Sequence, residues 1–146
     1  MGSRFWIKFL DLKKQYLEIQ REINDVISRT ILSSQFIGGD EVNLFERNFA
    51  KFCNTKCCVG VGNGTDALEI AIEALDLPSG SEILVPANSF IASAEAVTRA
   101  GHKVVFVDCD TNNYTVSLDS ICEKVNKNTR AIIAVHLYGH PCDMDG

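Results

Sequence analysis

Hydrophobic residues recur at three- and four-residue steps along the first third of the chain. They stand at Leu12, Tyr16, Ile19, Ile23, Val26, Ile27 and Ile31. This spacing is one face of a long helix. The stretch Ser-Ser-Gln-Phe-Ile-Gly-Gly at 33–39 breaks the pattern, and a second amphipathic run with Val42, Phe45, Phe49 and Phe52 follows. The pattern therefore predicts two helices before residue 55.

Beyond residue 56 the rhythm changes to short apolar runs that alternate with helical segments. The runs predict strands at Cys57–Val61, Glu82–Val85, Lys103–Val107 and Ala131–Val135. The segments between them predict helices at Thr65–Leu75, Phe90–Ala100 and Leu118–Val125. Nearly continuous apolar strands that alternate with helices are typical of a mostly parallel sheet covered on both faces.

Ligands of such sheets bind at the carboxyl ends of the strands. Loops follow the predicted strands at 62–65, 86–90, 108–111 and 136–141. We expect these loops to converge on one crevice.

Composition narrows the possible partners. The chain has 146 residues, which suits one globular core, and a formal net charge of −5. No Lys/Arg block stands out, which argues against binding to nucleic acid or to an anionic membrane surface. No apolar run approaches the roughly 20 residues that span a bilayer, and no signal-peptide core precedes Asp11. We expect a cytoplasmic protein.

Cysteine and histidine residues suggest a metal site only weakly. The six cysteines form no Cys-x-x-Cys pair, and we expect reduced thiols in the core, because free cysteine behaves as a small buried hydrophobe. His136 and His140 have a spacing that suits a metal if the segment is helical. Gly139 and Pro141 favour a loop instead, so we expect no zinc site.

A glycine-rich turn, Gly60-Val61-Gly62-Asn63-Gly64, runs directly into the helix predicted from Thr65. Glycines let the backbone approach an anion, and the helix directs free N–H groups and its positive dipole end to the same place. A Rossmann fingerprint needs a glycine where Thr65 stands, and a triphosphate loop needs a lysine after the last glycine. The turn therefore indicates a phosphorylated cofactor or substrate of another kind, and a tight turn without a ligand is the open alternative.

The predicted sheet stops short at the end of the sequence. Asp143 to Gly146 follow a strand without a closing helix. An isolated domain that ended there would leave an edge and a face uncovered. We expect a fragment of a longer protein, with a complete small domain as the alternative.

Six segments, taken in order, resemble one known family. They are Phe9-Leu10-Asp11-Leu12 with Gln15-Tyr16, Phe36-Ile37-Gly38-Gly39 to Val42, Gly62-Asn63-Gly64-Thr65-Asp66-Ala67-Leu68, Val85-Pro86-Ala87-Asn88-Ser89-Phe90-Ile91-Ala92, Val105-Phe106-Val107-Asp108, and His136-Leu137-Tyr138-Gly139. In this order and spacing the chain resembles the amino-terminal part of the DegT/DnrJ/EryC1/StrS family. That family comprises aminotransferases that use pyridoxal phosphate and act on nucleotide-linked keto-sugars.

The resemblance implies the fold of a type I aminotransferase. Its large domain is a three-layer α/β/α structure around a mostly parallel, seven-stranded sheet, a smaller domain follows, and a homodimer places active sites at the subunit interface. Residues 1–146 would be the amino-terminal part of the cofactor-binding large domain. Within it, 1–55 would form a helical segment and 56–146 a portion of the sheet, with the rest of the large domain and the small domain absent.

The same resemblance implies the site residues. Gly64, Thr65 and Asp66 would hold the phosphate of pyridoxal 5'-phosphate through backbone amides and the Thr65 hydroxyl. Phe90 would stack on the pyridine ring, whereas without the resemblance it would be interpreted as a core residue at a helix start. The resemblance places the Schiff-base lysine, the aspartate on the ring nitrogen and a serine on the phosphate beyond Gly146. We therefore expect no catalytic residue in this chain, and a fragment that binds the cofactor poorly and does not turn over.

Two acidic residues near the predicted site have other interpretations. Asp108 follows a strand, but the family's ring-nitrogen acid lies further along, so we expect a loop or capping role. Glu95 is either a polar group near the site or a solvated helix residue, and the sequence leaves both open.

For the complete protein the resemblance implies transfer of an amino group from L-glutamate to a keto group of a nucleotide-linked deoxysugar. The pathway would be that of a surface polysaccharide or a secondary metabolite. The form Gly-Asn-Gly-Thr-Asp-Ala-Leu resembles family members that act on 3-keto sugars more than those that act on 4-keto sugars, which implies amination at C3 rather than C4. Two alternatives remain: a dehydratase of the same fold, in which histidine replaces the lysine, and a non-catalytic truncated homologue with a regulatory or scaffold role.

Overall fold

A computed structural model describes residues 7–146, so the first six residues of the predicted helical segment lie outside it. The chain divides into two compact units, with the boundary between Gly60 and Val61. The elements in chain order are α1 (Leu12–Ser33), α2 (Asp40–Phe52), α3 (Gly64–Glu73), β1 (Glu82–Pro86), α4 (Ile91–Arg99), β2 (Lys103–Val107), α5 (Leu118–Lys124), β3 (Thr129–Ile132) and a short 3₁₀ turn (Leu137–Gly139).

The first unit contains the two helices predicted from hydrophobic spacing. Asp11 caps α1, because its Oδ1 accepts the N–H of Lys14 at 3.1 Å. The hydrogen bond from Lys8 and the one from Lys14 lower the pKa of the Asp11 carboxyl below its ordinary value. Gly39 precedes α2 with φ +93°, a conformation that favours glycine. No helix among residues 7–146 has both the length and the hydrophobicity needed to cross a bilayer.

The apolar faces of these helices are open within their own unit. No residue of α1 is buried, and Ala50 is the one buried residue of α2. Phe49 stacks on Phe45 with ring centroids 5.3 Å apart and lies 6.1 Å from the ring of Phe52. The helical periodicity is therefore present, but its apolar side has little to pack against within the unit.

The second unit is built on a parallel three-stranded sheet in the order β2-β1-β3. Ile83, Leu84 and Val85 of the central strand are completely buried. Ile83 and Val85 pack with Ile72 of α3 and with α4, whereas Leu84 packs in a second cluster on the opposite face. Because successive side chains of a strand point to opposite faces, β1 contributes to both layers of the core.

Helices cover both faces of this sheet. Ala96 and Val97 of α4 belong to the first cluster, and Ile121 of α5 packs against the second. The predicted α/β/α layering with a parallel sheet is thus confirmed for the described strands. The chain passes from β1 through α4 to β2, and then through α5 to β3 on the other side of β1. Such a reversal of strand order places a ligand crevice at the carboxyl ends of the strands beside it.

One predicted strand is wrong. The segment from Cys57 to Val61 forms no strand, and Val59 is 74% exposed. The Gly60 N–H donates instead to Oε1 of Glu46 at 2.7 Å. An apolar run becomes a strand only where a ladder partner accepts it, and none of the described strands pairs with this segment.

The boundaries of β3 also differ from the prediction. The strand runs from Thr129 to Ile132 rather than from Ala131 to Val135, with a register shift opposite Glu82 and Ile83. The last ladder bond runs from the Ile133 N–H to the carbonyl of Leu84. Beyond it, the Val135 carbonyl accepts the N–H of Leu137 and the thiol of Cys142 within its own loop, and no further ladder bond follows among the described residues.

Glu82 connects the amino ends of the strands. The residue is buried, its Oε1 lies 2.7 Å from Nζ of Lys103, and its Oε2 accepts Nδ2 of Asn126 at 2.7 Å. Its N–H donates to the carbonyl of Asn128 at 3.0 Å. The hydrogen bond from Lys103, followed by that from Asn126, lowers the pKa of Glu82 below its ordinary value of 4.5. The carboxylate therefore ties β1 to β2 and to the turn before β3.

Acid should weaken this connection. A carboxyl group whose pKa is lower in the folded state stabilises that state above its unfolded pKa, and the contribution is lost as the pH falls through the folded pKa. We expect the free energy of unfolding to drop on acidification below the ordinary value of 4.5, and to drop less steeply in Glu82→Gln. Urea unfolding followed by circular dichroism across this range measures it. Glu73→Gln, at an exposed position with no ion pair among the described residues, is the control and should keep the wild-type slope.

Candidate functional site

The glycine-rich turn ends in a well-defined helix cap. Asn63 has an extended backbone, and its Oδ1 accepts the N–H of Asp66 at 2.9 Å. In return, Nδ2 of Asn63 donates to Oδ2 of Asp66 at 3.0 Å. This reciprocal pair fixes the point at which α3 begins. The Asn-x-x-Asp spacing in the sequence signals this cap, which the pattern of glycines by itself does not.

The two glycines beside Asn63 differ in what a side chain at their position would contact. A Cβ on Gly62 would lie 2.7 Å from Oδ2 of Asp66, so a side chain there would have to displace the carboxylate that pairs with Asn63. A Cβ on Gly64 would meet nothing within 4 Å, and its φ is not left-handed. Glycine in a helix costs up to about 1 kcal/mol relative to alanine. Neither the backbone conformation nor the packing among the described residues therefore requires a glycine at position 64. The open space beside it can accommodate an external group.

Free hydrogen-bond donors face this open turn. Within residues 7–146 the N–H groups of Gly64 and Thr65 have no acceptor, and the Thr65 hydroxyl has no partner. The N–H of Asp66, by contrast, is used in the cap. Two free amides and a hydroxyl at the positive end of a helix dipole suit a phosphate group.

Phe90 follows β1 and serves as the N-cap residue of α4. Its side chain is 76% exposed, so it is not part of the described core. The loop that carries it is closely tied: the Ala87 N–H donates to the carbonyl of Val107 at 2.9 Å, and Oγ of Ser89 donates to the carbonyl of Pro86 at 2.9 Å. An aromatic ring presented by a short, fixed loop is available for stacking on a planar ligand.

The structure places three of the four predicted site residues on one helical turn and the fourth at the start of a packed neighbour. Gly64, Thr65 and Asp66 form the first turn of α3, and Phe90 precedes α4. The two helices share the same core cluster, in which Ile72 of α3 packs with α4. An ion pair between Arg99 and Glu69, 2.6 Å apart, also joins them.

A cavity of about 580 Å³ opens where β1 and β2 end, and Ala87, Val107 and Asp108 are among its lining residues. Asp108 uses Oδ1 to accept the N–H of Cys109 at 2.8 Å, while its own N–H donates to Oγ of Ser120. These bonds agree with the loop role expected for Asp108.

The remaining polar candidates make local contacts or none. Glu95 is exposed and makes no side-chain hydrogen bond or ion pair with residues 7–146. His136 and His140 flank the 3₁₀ turn, and Nδ1 of His136 accepts the N–H of Cys142 at 3.0 Å. In the described part of the chain, no three His, Cys, Asp or Glu side chains come together as a metal-binding group. All six cysteines are free, but only Cys142 is buried, so the expected core location is wrong for the other five.

Comparison with known proteins identifies the family. The model of the DegT/DnrJ/EryC1/StrS aminotransferase family matches residues 17–146. The chain belongs to this family. Among curated family members, the dTDP-3-amino-3,6-dideoxy-alpha-D-galactopyranose transaminase of Aneurinibacillus thermoaerophilus is 44% identical over 95% of this chain. The match covers 38% of that protein, so the chain spans well under half the length of this relative.

Solved structures of family members share the fold. Streptomyces venezuelae DesV, crystallised in complex with a ketimine intermediate, has a TM-score of 0.91 and 39% identity over 95% of this chain and 38% of its own. The E. coli GDP-4-keto-6-deoxy-D-mannose-3-dehydratase, with bound hydrated PLP, has a TM-score of 0.78 and 34% identity. That match covers 84% of this chain and 33% of the dehydratase.

Substitution of Asn63 tests whether its side chain stabilises the protein as the cap of α3. Asn63→Ala removes the acceptor for the Asp66 N–H, and we expect a loss of about 1 kcal/mol in the free energy of unfolding. Asn63→Ser keeps an acceptor and should retain most of the stability. Urea unfolding of the three proteins measures both changes. Equal stability of Asn63→Ala and the wild type would contradict the role of Asn63 as the cap.

Proposed function

We propose that the complete protein is an aminotransferase that uses pyridoxal 5'-phosphate to move an amino group onto a keto group of a nucleotide-linked deoxysugar. The observation that carries this proposal is the open first turn of α3, where Gly64 and Thr65 present free donors beside an unfilled space. Membership of the family and the likeness to solved cofactor-bound members support it. The proposed amino donor is L-glutamate.

The residues of this chain would hold and orient the cofactor. The N–H groups of Gly64 and Thr65 and the Thr65 hydroxyl would donate to its phosphate, and the positive end of α3 would favour the negative charge. Asp66 belongs to the same turn, and its hydrogen bonds to Asn63 keep the turn in shape. Phe90 would stack on the face of the ring and fix its tilt.

Bound pyridoxal phosphate supplies a ring that accepts the electron pair left when the amino donor loses a proton. That chemistry also needs an amine to bind the cofactor covalently and an acid beside the ring nitrogen. No lysine of this chain stands in a matching motif, so we place these groups outside residues 1–146. The chain alone should therefore bind the cofactor weakly and remain inactive.

The proposed substrate carries its keto group at C3. The relative from Aneurinibacillus thermoaerophilus is named for a 3-amino sugar, which supports C3 over C4. A homodimer in the cytoplasm is part of the same proposal. The apolar faces of α1 and α2, open within their own unit, fit an element that acquires partners in a larger assembly. A surface polysaccharide or a secondary metabolite is the proposed destination of the aminated sugar.

A dehydratase is the second candidate, because a solved dehydratase shares this fold and 34% of the aligned residues. The two candidates differ at a single downstream position, where a lysine supports the aminotransferase and a histidine the dehydratase. Sequencing the coding region beyond residue 146 decides between them. A reading frame that encodes neither residue would favour the non-catalytic regulatory homologue.

The decisive functional experiment uses the complete protein. We expect an absorbance band from the bound cofactor that disappears when L-glutamate is added, followed by amination of a 3-keto nucleotide sugar. Amination of the 4-keto isomer alone would overturn the C3 assignment while leaving the reaction class intact. A colourless protein at saturating pyridoxal phosphate would overturn the whole proposal.

Gly64→Ala tests the phosphate cradle without damaging the fold. Because the added methyl group meets no atom of the chain, the free energy of unfolding should stay the same or rise by up to about 1 kcal/mol. The methyl group would occupy space proposed for the phosphate, and we expect at least about a tenfold loss in cofactor affinity, or roughly 1.4 kcal/mol. Urea unfolding and a spectroscopic titration with pyridoxal phosphate measure the two effects. Unchanged affinity would contradict the placement of the phosphate.

Phe90→Leu tests ring stacking. The side chain is largely exposed, so stability should change little, whereas loss of an aromatic contact worth about 0.5–1.5 kcal/mol should weaken cofactor binding roughly three- to tenfold. Phe90→Tyr keeps the ring and should bind like the wild type. Cofactor titrations of the three proteins provide the comparison. If the leucine and tyrosine variants bind equally well, Phe90 does not stack on the cofactor.

A further inference from the structure

The loop that carries Phe90 is joined to its neighbour by one side chain. Nδ2 of Asn88 donates to the backbone carbonyl of Tyr114 at 2.8 Å. Within residues 7–146, this is the hydrogen bond that links the loop at 87–90 to the loop at 109–117. Its donor stands two residues before Phe90, so it acts directly on the segment that presents the ring.

The acceptor side of this bond is rigid. Cys109 and Val116 form an antiparallel bridge that closes the second loop, and the Asp110 N–H donates to the carbonyl of Thr115 at 2.8 Å. Thr115 and Val116 are buried at 3% and 8% exposure. The loop is therefore anchored in the core and offers a fixed point to Asn88.

Tyr114 sits at the tip of that loop in a left-handed conformation with φ +61°. Such a conformation is uncommon for a tyrosine and is maintained here by neighbouring contacts. The Tyr114 N–H donates to the carbonyl of Asp110 at 2.9 Å, and Oδ1 of Asn113 accepts both the N–H and the hydroxyl of Thr115. These bonds orient the Tyr114 carbonyl toward its donor.

The side chain of Phe90, in contrast, makes few contacts that would fix its position. Its side chain is 76% exposed, and it caps α4 without a side-chain hydrogen bond. Its position is therefore inherited from the loop backbone, which is held at Ala87 by Val107, at Ser89 by Pro86, and at Asn88 by Tyr114.

We propose that Asn88 is a positioning residue for the cofactor site, which fixes the Phe90 loop to the rigid loop after β2 through its bond to the Tyr114 carbonyl. The inference rests on the proposed function, because the bond matters for binding only if Phe90 stacks on the ring of the cofactor. Asn88 itself touches neither cofactor nor substrate in this assignment.

The test uses Asn88→Asp in the complete protein. A carboxylate has the shape of the amide but cannot donate, and it repels the Tyr114 carbonyl. Asn88→Ala removes the donor without adding charge. Asn112→Asp is the matched control: it adds the same charge to the neighbouring loop at an exposed side chain that makes no hydrogen bond with the described residues.

Four measurements are made on these proteins. Backbone hydrogen exchange of segments 86–93 and 108–117, without cofactor, reports whether the loop has been released. A titration with pyridoxal phosphate gives the affinity, and the circular dichroism of the bound cofactor reports the tilt of its ring. Urea unfolding confirms that each variant is folded.

We expect both Asn88 variants to exchange faster in segment 86–93 than the wild type and the control. They should bind the cofactor about fivefold more weakly, the loss expected for one hydrogen bond, and alter its circular dichroism. Faster exchange with unchanged affinity and dichroism would overturn the proposal, because the bond would then be merely structural. Unchanged exchange would overturn it as well. A wild-type protein that binds no cofactor would instead overturn the proposed function, and this inference with it.

Discussion

The burial of β1 on both faces is the constraint on which the second unit depends. A strand with fully buried residues needs a ladder partner on each side and a helical layer above and below. Ile83 and Val85 recruit α3 and α4, and Leu84 recruits the layer that includes α5. Because all three described strands are parallel, this one requirement also brings the loops after them to the same edge.

The proposed site and the polar network that stabilises the sheet lie at opposite ends of the strands. The packing of α3 and α4 on one face of the sheet sets the frame for the free amides of Gly64 and Thr65 and for the ring of Phe90. The polar network around Glu82 lies at the opposite, amino-terminal end of the strands. Groups that stabilise the sheet are thereby separated from groups proposed to bind the ligand, so each set can be altered with limited effect on the other.

Much of the fold was predictable because local and tertiary preferences agree. The helix from Leu12 and the strand at Lys103–Val107 follow from periodicity and apolar runs alone. The error at Cys57–Val61 has a physical origin, since pairing is a property of two segments and one sequence window cannot report it. The role of Phe90 as a stacking residue follows from family resemblance and not from periodicity. An aromatic residue at a helix start gives the same sequence pattern whether it is buried or presented to a ligand. The cap at Asn63 and the bond from Asn88 to Tyr114 depend on side-chain geometry that spacing only hints at.

The place of β2 in the sheet has a practical consequence. It pairs with β1 on one side, and no other described strand adjoins it on the other. An unpaired strand flank can recruit foreign strands and seed aggregates, and proteins limit this hazard with short, charged edges. β2 is five residues long and begins with Lys103, which meets both conditions, yet Phe106 remains 55% exposed along it. Among the residues of β2, Phe106 is therefore the apolar position at which these devices guard least against such pairing.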